Sequence, residues 1–446
     1  MSVQRALNSL GVVFFPAFDW AITPTHPERQ ERLLYTMDQL KEEGVFDIPG
    51  ITEHKPDVAT LDDIRRTHFC FPDTGSNLTS SHLISAGGAI KAGKLVMQGS
   101  EDKAFALVRP PGHHAMKVVH GGRGFCNVNI EAIMVEYLRE FHGVGRVAIV
   151  DTDCHHGDGT QDIYWHDPET LYISLHQDGR TLFPGSGFPG EIGGPKARGR
   201  TINIPLPPNT SDEGFLAVMD NVVVPVLEHF KPDLIVNSAG QDNHFTDPIT
   251  NMRFSAQGYA ALNTRLNPDI AVLEGGYSIQ GALPYVNLGI VLAMAGLDYS
   301  HVKEPDYDPA RLRQEQRISD YVKRISEVGL KNYFTPPHSE VSQDKQDGYF
   351  VRSKEVFYDT AFITERQREF LLDCNHCPGL LKIETSSSKI RNCLALEIPR
   401  GACERCLQEG ERLFEESKSN ERFSNIQLIN RPVGGTQRYR TDHHGQ

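Results

Sequence analysis

The feature that most constrains the fold is a series of short apolar runs that alternate with helix-like stretches between about residues 10 and 300. The runs are rich in β-branched side chains and nearly continuous in apolarity, which is typical of strands buried on both faces. They span residues 10–15, 104–108, 147–150, 171–175, 234–237 and 270–273. Helices are expected between them, for example at 129–141 and 211–230. This alternation predicts a parallel sheet covered by helices on both faces.

Composition narrows the class of protein. Of the 446 residues, 39% are hydrophobic and 23% are charged, as in an ordinary globular protein. The net charge of −13 argues against a nucleic-acid binder and is a weak indication of cationic, amine-bearing substrates. The apolar run near the N-terminus breaks at Pro16, and no stretch reaches the roughly 18 residues needed to cross a bilayer. We therefore expect a cytoplasmic protein without a membrane or direct nucleic-acid partner.

Polar clusters follow four of the predicted strands. The carboxyl ends of parallel strands lie at one edge of a sheet, where α/β proteins bind ligands. The clusters are RPPGHHA at 109–115, DTDCHHGDGTQ at 151–161, SAGQDNHFTDP at 238–248 and EGGY at 274–277. Four such clusters at one edge are hard to explain as packing, so we expect a single site there.

The second cluster indicates a metal. Asp153 and His155 are alternate residues of an extended segment, so their side chains can face one point. Asp247, before Pro248, can supply a third ligand and leave one position open for water and substrate, as catalytic zinc requires. The alternative is that these are capping aspartates and a core histidine.

Acid–base residues accompany the predicted metal. His113 and His114 can act as base and acid if each is oriented by a carboxylate, for which Asp151 and Asp158 are available. Tyr277 can donate a hydrogen bond to a developing oxyanion. Taken alone, the histidine pair could be a surface feature and the tyrosine a core residue.

Together, the four motifs resemble those of the zinc-dependent histone deacetylase superfamily, nearest its class II-like bacterial branch, which is related to acetylpolyamine amidohydrolases. The likeness covers about residues 10–300. It implies an arginase/deacetylase-like three-layer α/β fold with a central eight-stranded parallel sheet. It also implies that Asp153, His155 and Asp247 bind the catalytic Zn²⁺, with His114 as general base and later acid.

The resemblance assigns further residues. Gly124, Phe125 and Phe183 match the walls of an acyl-lysine tunnel. Phe254 is assigned to the same tunnel, at the position where the polyamine deacetylases of the family have an acidic gatekeeper. A monovalent cation such as K⁺ is implied at a site formed by Asp151, Asp153, His155, Ser174 and Leu175. Gln241 and His244 depart from the family pattern at the rim of the pocket.

The implied activity is zinc-dependent hydrolysis of an acyl-amide, with N6-acyl-lysine in a protein or peptide as substrate. The apolar Phe254 counts against acetylpolyamines, although a deacylase of acetylpolyamines or other small acylated amines stays open. Two further alternatives are an arginase-like ureohydrolase with two manganese ions and a non-enzymatic reader of acyl-lysine. The oligomeric state is not indicated.

A second cysteine-rich motif lies near the C-terminus. The pairs Cys374/Cys377 and Cys403/Cys406 have the spacing of a four-thiolate structural zinc site, as in a zinc ribbon. His376 and Cys393 are alternative ligands, and disulfides, free thiols or a redox dithiol are alternative states.

The chain is thus predicted to contain four parts. They are a deacetylase-like catalytic domain at 1–315, closing helices and a linker at 316–357, a small zinc-ribbon-like segment at 358–415 and a flexible tail at 416–446.

Overall fold

The computed structural model describes residues 5–18, 20–310, 312–337 and 344–440. Its strands are β1 Leu10–Phe15, β2 Ile51–His54, β3 Phe69–Cys70, β4 Lys103–Val108, β5 Val118–Val119, β6 Val147–Asp151, β7 Thr170–Gln177, β8 Thr201–Leu206, β9 Leu234–Ala239, β10 Ile270–Leu273, β11 Asp344–Gln346, β12 Tyr349–Tyr358, β13 Ile363–Leu372, β14 Leu381–Ser387, β15 Cys393–Ile398, β16 Asn425–Asn430 and β17 Thr436–Arg440. Its α-helices are α1 Glu31–Glu42, α2 Leu61–Arg65, α3 Ser80–Met97, α4 Ile130–His142, α5 Asp158–Tyr164, α6 Asp212–Val218, α7 Val224–Phe230, α8 Ala256–Leu266, α9 Leu283–Met294, α10 Gln316–Phe334 and α11 Glu404–Lys418.

The main sheet has eight strands in the order β2-β1-β4-β10-β9-β6-β7-β8. Every neighbouring pair is parallel, so the predicted eight-stranded parallel sheet is confirmed. The six apolar runs form six of these strands. The other two, β2 and β8, were not found from the sequence. β2 is only four residues long, and two of its residues are exposed at the edge of the sheet.

Apolar side chains cover both faces of this sheet. In β6, Ala148 and Val150 belong to one core cluster, whereas Val147 and Ile149 belong to another. Successive strand residues point to opposite faces, so the two clusters lie on opposite sides. A continuous apolar run is therefore what this strand requires.

The two predicted helices are present, with locally encoded ends. Asn129 caps α4 by accepting a hydrogen bond from the Ala132 amide at 2.8 Å, and Gly143 ends it in the left-handed conformation. The stretch predicted at 211–230 forms α6 and α7, joined by the π-helical turn Met219–Val223.

The C-terminal part is larger than the predicted zinc-ribbon segment. It is a seven-stranded sheet in the order β11-β12-β13-β14-β15-β16-β17, with helix α11 between β15 and β16. All its neighbouring pairs are antiparallel except β15 and β16.

Two boundaries in this part differ from the prediction. All of β12 except its last residue, Tyr358, falls in the range assigned to the linker, 316–357, and β16 and β17 fall in the range assigned to a flexible tail, 416–446. All six residues of β16 are buried. The strand pairs with β15 on one side and β17 on the other, and its apolar side chains belong to two core clusters, with Ile426 and Leu428 in one and Ile429 in the other. Its mixture of polar and apolar residues concealed this burial. Residues 441–446 lie outside the described residues.

Among the helices within the described ranges, none combines the length and apolarity needed to cross a membrane. The cytoplasmic location stays a prediction.

Candidate metal centre and active site

The sheet brings the four polar clusters together, as predicted. Asp151, the last residue of β6, lies opposite Ser238 of β9 and Ser174 of β7. β4 leads into the loop that contains His113, and β10 leads into the segment that ends at Tyr277. Because the strands are parallel, their carboxyl ends share one edge, and these side chains converge there.

Asp153 and His155 form a compact buried cluster with Asp242. The three can each offer one ligand atom, with these atoms within 4.8 Å of one another. His155 Nδ1 lies 2.7 Å from Asp242 Oδ2 and 3.2 Å from Asp153 Oδ1. Sequence reasoning included Asp242 only as part of the cluster at 238–248 and gave it no role, although its position three residues after β9 could have identified it.

Asp247 lies beside this cluster. Its carboxylate accepts hydrogen bonds from the amides of Ile249 and Tyr277, at 3.0 and 2.8 Å. Burial, and then the negative charge of Asp242, raise the pKa of Asp247 to about 8. The predicted ligand is therefore within electrostatic reach of the metal-binding group, and its role as a ligand stays a prediction.

The donor set suits a divalent cation such as zinc. Burial alone would lower the pKa of His155, but Asp242 and Asp153 raise it to about 10. Buried carboxylates need a positive partner, and nitrogen and oxygen donors are those that zinc accepts from proteins.

An added Cβ at Gly240 would lie 2.0 Å from Asp153 Oδ2, so this glycine allows the backbone to approach the cluster.

Each of the tandem histidines pairs with a carboxylate, as predicted. His113 Nδ1 lies 3.2 Å from Asp151 Oδ2, and His114 Nδ1 lies 2.8 Å from Asp158 Oδ1. The two rings are 4.1 Å apart, centroid to centroid.

The two histidines differ in their electrostatics. Burial would lower the pKa of His113, but Asp153 and Asp151 raise it well above its usual value. Burial, and then the charge of His113, lower the pKa of His114 to about 3. A neutral His114 has an unprotonated ring nitrogen that can accept a proton, as a general base must.

Glu274 also fixes this loop, and sequence reasoning did not assign it a role. Its carboxylate accepts hydrogen bonds from the amides of Gly112 and His113, at 2.7 and 3.0 Å. The buried side chain thereby sets the direction of the backbone that precedes both imidazoles.

Aromatic rings surround His114 and Tyr277. Phe183 packs edge-on against His114 at 5.1 Å, and Phe125 packs edge-on against Tyr277 at 5.8 Å. Phe183 is 38% exposed, whereas Tyr277 is 7% exposed. Burial raises the pKa of Tyr277 well above its usual value, so the phenol keeps its proton.

The structure corrects the prediction for Phe254. This side chain is fully buried in the core, where it stacks on Phe215 and packs against Tyr259, each at 4.5 Å. A gatekeeper must contact a substrate that enters from solvent, so Phe254 is not a tunnel residue. The argument that it disfavours acetylpolyamines therefore does not hold.

Of the five residues predicted to bind a monovalent cation, three lie on the adjacent strands β6 and β7, and Asp153 and His155 lie in the loop after β6. Asp151 and Ser174 are direct neighbours in the register of β6 and β7, and Leu175 follows Ser174 in the same strand. The cation itself stays a prediction.

The four cysteines come together at one end of the C-terminal sheet. The Sγ atoms of Cys374, Cys377, Cys403 and Cys406 all lie within 4.8 Å of one another. Cys403 Sγ is 3.6 Å from Cys374 Sγ and 3.7 Å from Cys377 Sγ, distances that rule out disulfide bonds between these pairs in this structure.

Two further observations concern the choice of cysteine ligands. Burial would raise the pKa of Cys374, but the amide of His376 and the neighbouring thiol of Cys403 lower it to about 6. Cys393 lies on β15, near Ser424, and is not part of the group. The geometry favours the predicted four-thiolate set over the alternative with Cys393.

Comparisons with known proteins agree with this geometry. The sequence profile described as "Histone deacetylase domain" matches residues 73–288. The chain is 46% identical over 328 residues to a "Probable deacetylase" of Archaeoglobus fulgidus, covering 68% of this chain and 90% of that protein. It is 37% identical over 242 residues to the "Histone deacetylase-like amidohydrolase" of Pseudomonas aeruginosa, covering 52% of this chain and 62% of that protein.

A plant relative and a solved structure extend the comparison. The chain is 36% identical to "Histone deacetylase 14, chloroplastic" of Arabidopsis thaliana, covering 55% of this chain and 60% of that protein. It therefore spans less than two thirds of the plant and Pseudomonas relatives. A crystal structure titled as the HD domain of HDA15 superposes with a TM-score of 0.63 at 24% identity, covering 73% of this chain and 95% of that one, and it shares the fold.

Proposed function

Because the chain belongs to the histone deacetylase family, we propose that it is a zinc-dependent deacylase that acts on N6-acyl-lysine in proteins or peptides. One observation carries the proposal. Two adjacent imidazoles, each paired with its own carboxylate, lie beside a buried Asp–His–Asp group. Metal-assisted hydrolysis of an amide needs a base for the attacking water and an acid for the departing amine beside the metal, and this arrangement can supply both.

Asp153 and His155 of this group would bind the catalytic zinc together with Asp247, the third ligand that the family resemblance implies. Asp242, the remaining member of the group, would be a neighbouring carboxylate that accepts from His155. Bound zinc supplies a Lewis acid that polarises the acyl carbonyl and lowers the pKa of water at this position. The hydrogen bond to Asp242 orients the His155 ring, as the carboxylate partners of metal-binding histidines do.

His114 acts as the general base. Its Nδ1 faces Asp158 at 2.8 Å, which directs the Nδ1 proton toward the carboxylate and leaves Nε2 free to accept a proton from the attacking water. Its lowered pKa keeps it neutral before the reaction. The same nitrogen then returns the proton to the departing amine.

Tyr277 donates a hydrogen bond from its phenol to the oxyanion that develops on the acyl carbonyl oxygen. The amide of Tyr277 donates to Asp247 at 2.8 Å, so the ring and the predicted ligand are positioned together. His113 lies between Asp151 and Asp153, and the charges of these two carboxylates raise its pKa well above its usual value.

The positions of Phe125 and Phe183 favour a substrate in which the acylated amine is attached to an alkyl chain. Their rings border His114 and Tyr277, and apolar rings favour a methylene chain over a charged one. The same walls would accept the chain of a polyamine, which makes acetylpolyamines the competing substrate.

A turnover assay tests the proposal. The purified zinc-loaded protein is assayed on an acetyl-lysine peptide, on peptides with longer acyl groups and on acetylpolyamines, with His114→Ala as the negative control. We expect amine release from the peptides that depends on zinc and on His114. Faster turnover of acetylpolyamines would reassign the substrate, and turnover of none of these amides would refute the activity.

For the cysteine group, the proposal is a second, structural zinc. Four thiolates close the coordination of a tetrahedral zinc, so the ion would stabilise the fold and take no part in the reaction. The ion would link the loop after β13, which contains Cys374 and Cys377, to the start of α11, where Cys403 and Cys406 lie.

A further inference from the structure

The C-terminal sheet packs directly on the loop that follows the catalytic histidines. Tyr358 donates its hydroxyl to the Val118 carbonyl at 2.8 Å. An added Cβ at Gly121 would lie 2.8 Å from the Cβ of Ala361, so the backbone of this loop touches the turn between β12 and β13. Met116 belongs to an apolar cluster otherwise made of side chains from this hairpin. The loop is thus buried between the two sheets.

The loop ends in a tight turn that presents Phe125 to the site. Arg123 and Cys126 exchange two backbone hydrogen bonds, of 2.9 and 2.8 Å, around Gly124 and Phe125. Both central residues have positive φ, 51° and 68°. That conformation is natural for glycine but strained for phenylalanine, so surrounding contacts must stabilise the turn.

Asp359, in the β12–β13 turn, makes one of these contacts. Its Oδ1 accepts a hydrogen bond from the Gly124 amide at 2.9 Å. An added Cβ at Gly124 would lie 2.4 Å from His114 Cδ2, which shows how closely this turn packs on the catalytic imidazole. A carboxylate of the C-terminal sheet therefore fixes the backbone that contacts His114.

Arg123 makes the second connection. Its Nε and Nη2 donate to Asp158 Oδ2 at 2.9 and 2.6 Å, while Nη1 donates to the Phe357 carbonyl of β12 at 2.5 Å. The other oxygen of Asp158 accepts from His114. The guanidinium also lies over the ring of Phe183, 5.1 Å from its centre. One side chain thus joins the C-terminal sheet to the histidine–carboxylate pair and to the tunnel wall.

We propose that Arg123 and Asp359 are positioning residues, through which the C-terminal sheet sets the geometry of His114, Asp158 and Phe125 for deacylation. This inference rests on the proposed function, because it names how the same site is ordered. Neither residue contacts the reacting atoms. Each acts through a group that does.

The variants follow from the geometry of the contacts. In Arg123→Lys, a single ammonium group replaces the planar guanidinium, and it cannot donate to Asp158 and to the Phe357 carbonyl at the same time. Asp359→Ala removes the acceptor for the Gly124 amide, whereas Asp359→Asn keeps an oxygen acceptor. The matched control is Asp373→Ala, which removes a carboxylate of the same sheet that binds Lys196 of the catalytic domain, away from this loop.

We expect kcat on the acetyl-lysine peptide to fall about ten-fold to a hundred-fold in Arg123→Lys and Asp359→Ala. KM should change less than kcat, and zinc content and melting temperature should stay close to those of the wild type. Asp359→Asn should recover most of the lost kcat, and Asp373→Ala should match the wild type. If the two residues had a merely structural role, the variants would have a lower melting temperature. They would not show a larger change in kcat than in KM, and Asp359→Asn would not recover kcat.

A second measurement does not depend on activity. Amide hydrogen exchange of the segment 121–127 should accelerate in Asp359→Ala but not in Asp373→Ala. Wild-type kcat and wild-type exchange in Arg123→Lys and Asp359→Ala would overturn the inference. Absence of turnover by the wild type would instead refute the proposed function, while exchange in the variants would still test the contact.

Discussion

The substitution Tyr277→Phe tests the proposed chemistry most directly. It removes one oxygen atom and retains the ring, which packs against Phe125 at 5.8 Å and lies 5.0 Å from the Arg32 guanidinium. The backbone hydrogen bond from residue 277 to Asp247 is unaffected, because it uses the amide. The variant should therefore fold and bind zinc like the wild type.

The magnitude follows from the position of the phenol. Tyr277 is 7% exposed, so its hydrogen bond to a developing oxyanion forms where little water competes. Removal of one such donor costs about 2.7–4 kcal/mol, which lowers kcat about 10²- to 10³-fold. Loss of a hydroxyl changes folding stability by about 1 kcal/mol, a much smaller effect.

Steady-state kinetics on an acetyl-lysine peptide, with zinc content and melting temperature, measure these effects. The matched control is Tyr164→Phe, which removes another buried hydroxyl, one that donates to the Ala132 carbonyl at 3.4 Å. We expect the control to keep wild-type kcat. A kcat of Tyr277→Phe within about two-fold of the wild-type kcat would be a far smaller loss than that expected for an oxyanion donor. Tyr277 would then not be that donor.

Three further substitutions test other parts of the structure. Gly124→Ala places a Cβ 2.4 Å from His114 Cδ2 at a residue with positive φ, so kcat should fall while zinc content, measured in parallel, stays constant. Cys406→Ser should reduce zinc from two ions to one per chain and lower the melting temperature, and two zinc ions in this variant would exclude the four-thiolate site. Burial would raise the pKa of Glu136, but Arg431 and two other arginines lower it from 4.5 to about 2. The carboxylate therefore stabilises the fold by about 3 kcal/mol above pH 4.5, and this contribution is lost as the pH falls toward 2. Urea unfolding of Glu136→Gln should show a weaker dependence on pH over that range than the wild type.

Most of the main sheet could be predicted because its strands need only one property. A strand covered on both faces must be apolar throughout, and six of the eight strands show this as a continuous run. β8, Thr201–Leu206, is completely buried but includes Thr201, Asn203 and Pro205, which interrupt the run. The Asn203 amide nitrogen donates hydrogen bonds to Gln161 and to the Glu191 carbonyl, so this group finds its partners inside the protein. Sequence patterns alone do not reveal such partners.

The same reasoning explains what was found and missed in the site. Parallel strands end at one edge, so the residues after β4, β6, β9 and β10 had to converge, whatever their sequence separation. The direction of each side chain within its loop is not fixed by this rule. Asp242 therefore joins Asp153 and His155 unexpectedly, and Phe254 turns into the core instead of the tunnel.

Contacts between the two sheets follow no such rule, which is why Arg123 and Asp359 were not recognised. Arg123 is separated from Phe357 by 234 residues, and neither its type nor its spacing indicates a partner there. Its charge is nevertheless informative once the fold is known. A guanidinium that is nearly buried needs a carboxylate, and the carboxylate it contacts also orients His114. The loss of Arg123 would leave Asp158 buried without its strongest counter-charge and would also remove the hydrogen bond to the Phe357 carbonyl, so this one side chain would couple the C-terminal sheet to the catalytic site.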